Sequence, residues 1–155
     1  MSSLDDYKAC DAVATILKLA DQYQVIMFNE AHHVPMHRAF TIQLLDDLYR
    51  KGFRYLAVEA LTSADDGLQA RGYPIRKSGL YLSEPLCTDM VRIALRIGYQ
   101  VVPYEFEEET PPHQGDDPLA DQRARESGQA KKAPRPNSGK RLAGKDSGAC
   151  WVQPH

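Results

Sequence analysis

The sequence predicts a small parallel α/β fold, in which a sheet of three strands packs with flanking helices in two or three layers. Three observations predict it. Apolar runs of strand length recur at residues 23–29, 53–59 and 99–105. Segments of helical period separate them, the alternation that builds strand–helix–strand crossovers. A carboxylate closes each run, Glu30, Glu59 and Glu105, and parallel strands bring all three to one edge of the sheet.

The elements follow in order. Residues 3–21 carry Leu4, Tyr7, Val13, Ile16, Leu17 and Ala20 at helical spacing. Ser3 with Asp6 three positions on resembles a capping signal. After the first strand, Pro35 suits a first helical turn, and Phe40, Leu44, Leu45 and Leu48 mark the apolar face of a helix that Lys51-Gly52 ends. Residues 62–83 form a connection too long for a passive turn, which predicts a functional loop or lid. Ser83 is a capping candidate for a third helix, with Leu86, Met90, Ile93, Ala94 and Ile97 on its inner face and Gly98 as its stop. Two domains of unequal character result. Residues 1–112 read as a truncated α/β domain. Residues 113–155 are poor in aliphatic side chains and rich in Pro, Gly, Arg, Lys and Ser, so they read as a disordered tail, with the composition of a GC-rich gene read out of frame.

Charge and composition narrow the function. The 155 residues have a formal net charge of -2 and are 43% hydrophobic. That balance favours neither nucleic acid nor an anionic membrane. No apolar run approaches a membrane span, and the N-terminus lacks the pattern of a signal peptide. The expected setting is cytoplasmic. The three cysteines, Cys10, Cys87 and Cys150, stand far apart and form no metal knuckle.

The chemistry concentrates after the first strand. Within nine positions the chain supplies Glu30, His32, His33, His37 and Arg38. A carboxylate beside imidazoles serves as a general base with an orienting partner, or ligates a divalent metal; His32, His33 and His37 are the candidate metal ligands, and imidazoles so spaced also reach a haem. His33 and His37, four apart, would share a helix face. Arg38 is placed to hold a substrate carboxylate or phosphate, or to pair with Glu59. Tyr104 beside Glu105 offers a donor to an oxyanion, and Arg71 and Tyr73 in the long connection are candidate substrate contacts. The plainer reading is that these groups are a helix cap, solvated strand ends and surface loop residues. Three carboxylates converging on one edge weigh against it for Glu30 and Glu59. Strands one and two, as neighbours, would end about 5 Å apart.

With these residues in view, the chain resembles the superfamily of erythromycin esterase-like, ChaN-like haem-binding and TraB/Tiki proteins over residues 20–106. The resemblance lies in Asn29-Glu30-Ala31-His32 with His37 downstream, and in Val58-Glu59 and Tyr104-Glu105. Asn29 stands where the family usually has glycine. The esterase branch spaces its motif as Glu-x-x-His, which selects His33 instead of His32. The resemblance implies a hydrolase of an ester, lactone or amide, in which Glu30 activates water, His32 or His33 orients it, and Glu59 and Glu105 complete the pocket. The alternatives are a non-catalytic haem- or metal-binding module of the ChaN-like type, and an inactive truncated fragment, because the family's later strands and site histidine have no counterpart here. The implied partner is a small molecule or haem, with self-association through an exposed sheet edge as a further expectation.

Overall fold

The computed structural model describes residues 8–31, 33–104, 123–124, 127–128 and 148–154. Among these, helix α1 spans Ala12–Leu19, strand β1 Val25–Glu30, helix α2 Pro35–Arg50, strand β2 Phe53–Val58, the short helix α3 Leu68–Arg71, helix α4 Pro85–Ile97, strand β3 Gln100–Pro103 and strand β4 Gly148–Pro154. The expected parallel α/β architecture is observed.

The sheet departs from expectation in one respect. It has four strands, in the order β1-β4-β2-β3, all parallel. Residues 148–154, which composition places in an unordered tail, form β4 and lie between β1 and β2. Val25 to Glu30 pair in register with Ala149 to Pro154, and Val58 pairs with Val152. The rest of the proposed tail lies outside the described residues, apart from 123–124 and 127–128.

Local chemistry sets the helix ends. α1 begins later than the periodicity suggests: Asp11 is its cap, its Oδ1 accepting the Ala14 N–H at 3.0 Å, while Ser3 lies outside the described residues. α2 opens on Pro35 as expected, a residue whose missing N–H costs nothing in a first turn. Glu84, rather than Ser83, caps α4, its carboxylate accepting from the N–H groups of Leu86 and Cys87 at 3.1 and 2.7 Å.

One face of the sheet carries the main core. Leu44, Leu45 and Leu48 of α2, Leu56 and Val58 of β2, and Met90, Val91 and Ala94 of α4 form it with Tyr99. Each of the three α2 leucines is fully buried, and each contributes roughly 2 kcal/mol of transfer free energy. The partly buried Val13, Ile16 and Leu17 bring α1 against the same core. Tyr99 closes its floor, donating its hydroxyl to the Leu45 carbonyl at 2.7 Å and meeting Tyr49 edge-on at 5.1 Å. Ala57 and Tyr104 pack on the opposite face with Tyr55 and Val102.

The long connection is ordered by its own polar cluster. Arg71 makes two contacts to Asp65, at 3.2 and 2.5 Å. The Ser78 hydroxyl donates to the same carboxylate and accepts the Ile75 N–H at 2.7 Å. Gln69 reaches across to β3, accepting the Val101 N–H at 3.1 Å and donating to the Tyr99 carbonyl at 2.8 Å. The outer rim of β3 thus gains partners that a bare edge strand lacks.

Candidate functional site

The crossover from β1 to α2 brings Glu30 and Arg38 together. Glu30 is the last residue of β1, and Arg38 lies in the first turn of α2; they are 5% and 4% exposed, burial that isolated charges do not tolerate. Arg38 Nε stands 3.3 Å from Glu30 Oε2. This is an ion-pair distance, although the N–H does not line up as a hydrogen bond. Arg38 Nη1 also donates to Glu84 Oε2 at 3.4 Å. One guanidinium therefore bridges the end of β1 and the start of α4. Arg38 was expected to hold a substrate anion or to pair with Glu59; the contacts described for it include Glu30 and Glu84.

Burial controls the electrostatics. Loss of hydration pushes the Glu30 carboxyl above its ordinary range; Arg38 and, more weakly, His37 pull it down, while Glu84 pushes it up. Buried Cys87, in the first turn of α4, faces the same charges. Burial pushes its thiol up to about 11, against the opposing pull of Arg38.

The histidines occupy the connecting turn and the helix start. His33 is exposed in the turn before Pro35, and His37 is exposed in the first turn of α2. Because α2 begins only at Pro35, His33 and His37 do not share a helix face. His37 Nδ1 accepts the Ala31 N–H at 3.0 Å. In this arrangement the backbone already engages Nδ1 of His37. Among the described residues, no group of three or more His, Cys, Asp or Glu side chains is arranged to hold a metal ion. His32 and Glu105 lie outside the described residues.

Glu59 is buried at 7% exposure just past β2. It stands at the same sheet edge as Glu30, as expected, but the two strands are not neighbours. With β4 between them, the strand ends are separated by two inter-strand spacings, roughly 9–10 Å instead of 5 Å. Tyr104 is buried at 2% exposure against the face that carries Ala57. Arg71 is engaged by Asp65 and donates its Nε to the Tyr73 carbonyl at 3.0 Å, with its guanidinium 5.3 Å from the centre of the exposed Tyr73 ring. It holds the long connection in shape.

Sequence reasoning gave no role to Glu84. The one signal available was an acid directly before Pro85, a pattern of helix starts; its contact with Arg38 depends on the packing of α4 against α2.

This arrangement can be set beside known proteins. The chain is similar to the type III effector HopBA1. The TM-score is 0.56 at 17% sequence identity, covering 91% of this chain and 71% of the HopBA1 chain. At that identity the likeness concerns the fold alone. No protein-family model matches the chain, and no match was found among curated proteins. Among the described residues, no helix is long and apolar enough to cross a membrane.

Proposed function

We propose that this chain is a hydrolase relative of the erythromycin esterase-like superfamily, acting on an ester, lactone or amide through Glu30. The observation that carries the reading is a carboxylate 5% exposed at the C-terminal end of a parallel strand, beside a buried guanidinium. Ligands of open α/β sheets bind at that end. Desolvation raises the proton affinity of Glu30, which makes its ionised form a stronger base than a surface carboxylate. Arg38 offsets part of the cost of ionising it.

In the proposed reaction Glu30 removes a proton from water as the water oxygen bonds to the substrate carbonyl carbon. The tetrahedral intermediate then collapses, the bond to the alcohol or amine breaks, and the leaving group takes the proton from Glu30. The Glu-x-x-His spacing assigns the orientation of water to His33, or to His32 next to it, and Glu59 lines the same edge from β2.

A panel of fluorogenic esters, assayed with the parent and with Glu30→Gln, tests this. The parent turns over at least one ester and the variant loses activity by about 10²–10⁴-fold, the range for one general base. Equal activity of the two proteins would remove Glu30 from the mechanism. A parent that is inert toward the panel but gives a Soret shift on haem titration would replace the hydrolase with a non-catalytic haem binder.

A further inference from the structure

Glu84 performs two tasks with one carboxylate. Its Oε1 accepts the Leu86 N–H at 3.1 Å. Its Oε2 accepts the Cys87 N–H at 2.7 Å and the Arg38 Nη1–H at 3.4 Å. Its side chain keeps 32% exposure, while that of Arg38 keeps 4%. A helix cap needs only one short oxygen, and Ser, Thr, Asp or Asn normally supplies it. A Glu at this position reaches further than capping requires, and the extra reach ends on Arg38.

We propose that Glu84 is a positioning residue for the site: by tying the Arg38 guanidinium to the first turn of α4, it fixes the face that Arg38 turns toward Glu30. A guanidinium is a rigid planar fork. Holding Nη1 at Glu84 therefore restricts rotation about the end of the side chain and fixes where Nε points. Nε is the atom 3.3 Å from Glu30. The groups around this fork include Glu30 from β1 and Glu84 and Cys87 from the start of α4, with His37 of α2 acting on Glu30. The same contact joins the site to the long connection, because the Glu84 N–H donates to the Tyr81 carbonyl at 3.2 Å. The catalytic consequence rests on the hydrolase reading. The geometric claim does not, and it is read in the ligand-free protein.

The test is hydrogen exchange of the Arg38 guanidinium N–H groups, followed by NMR in the full chain beside the Leu86 and Cys87 amides. Glu84→Ser retains a good cap but cannot reach Arg38. The expected result is exchange of the Arg38 Nη1–H, the group that Glu84 holds, faster by about tenfold or more, the factor carried by one charged hydrogen bond, with the two amides still protected. Unchanged Arg38 exchange in the folded Ser variant overturns the proposal. If Glu84→Ser does not fold, Glu84→Asp decides, because its shorter side chain still caps the helix but falls short of Arg38. Faster exchange at Arg38 with the two amides protected supports the proposal, and unchanged exchange at Arg38 overturns it. Equal ester turnover by the parent and Glu30→Gln would count against the hydrolase reading and would leave this result standing.

Discussion

The Arg38 guanidinium stands 3.3 Å from the Glu30 carboxylate, and both side chains are almost wholly withdrawn from water. The pair joins the last residue of β1 to the first turn of α2. Breaking such a pair from one side leaves a buried charge without its counterion. Arg38→Ala should therefore destabilise the protein by about 3–5 kcal/mol. Urea denaturation measures this. The loss should be clearly smaller in a Glu30→Gln background, where only the partly exposed Glu84 carboxylate loses its guanidinium; an equal loss in both backgrounds would place the cause in packing instead.

The pH dependence of stability has opposite signs at two carboxylates. Burial raises Glu30 in the folded chain. Its contribution is complete below about pH 4.5, the unfolded value, and is lost as the pH rises through the folded one. Stability of Glu30→Gln relative to the parent should accordingly improve between pH 4 and pH 8. The Arg71 hydrogen bond, followed by that from Ser78, holds Asp65 below its usual range. Its contribution is present above about pH 3.8 and is lost as the pH falls through the folded value. The penalty for Asp65→Asn should shrink in acid. Flat differences across both pH series would contradict the assignment.

Cys87 should be chemically silent. Its thiol is buried and pushed up to about 11, so little thiolate exists near neutrality, and the thiolate is the reactive form. Cys10 is exposed. In a Cys150→Ser background, iodoacetamide at pH 8 should label Cys10 first and Cys87 only on unfolding. Equal labelling rates, read by mass spectrometry, would show that α4 does not shield the thiol.

Gly79 marks the tightest backbone approach in the long connection. At φ +155° a built Cβ would lie 1.9 Å from the Ala60 carbonyl oxygen. Gly72 also has positive φ, at +80°, but nothing lies within 4 Å of a Cβ there. Gly79→Ala should cost clearly more than the roughly 1 kcal/mol expected where conformation alone is strained. Gly72→Ala should cost about that amount. Thermal unfolding of both variants checks the order, and a smaller drop in Tm for Gly79→Ala would overturn it.

Much of the fold was legible because its signals are local. The apolar face of α2, with Leu44, Leu45 and Leu48, follows from spacing and is fully buried. Pro35 and Gly98 mark helix ends where single-residue conformational preferences place them. The burial of β1 alternates, with Ile26, Phe28 and Glu30 turned inward relative to Val25, Met27 and Asn29, as a period of two requires. Glu30 could be singled out because it ends an apolar run and opens the cluster with His32, His33, His37 and Arg38.

The sequence by itself determined the type and order of the elements around the site, and which carboxylates close β1 and β2. Those features depend on neighbours within a few residues. Tertiary structure decided what stands between and beside them. Gly148–Pro154 has a mixed pattern with Val152 as its single branched aliphatic residue, and it follows a polar segment, so its composition does not announce a strand. Its place follows from pairing with β1 on one side and β2 on the other, over a hundred residues away in the chain for β1. That insertion separates Glu30 from Glu59 by two strand spacings. The Arg38–Glu84 contact likewise joins residues 46 positions apart and exists only because α4 packs against α2. Periodicity places residues on a face; the packing of one face against another decides which charges meet.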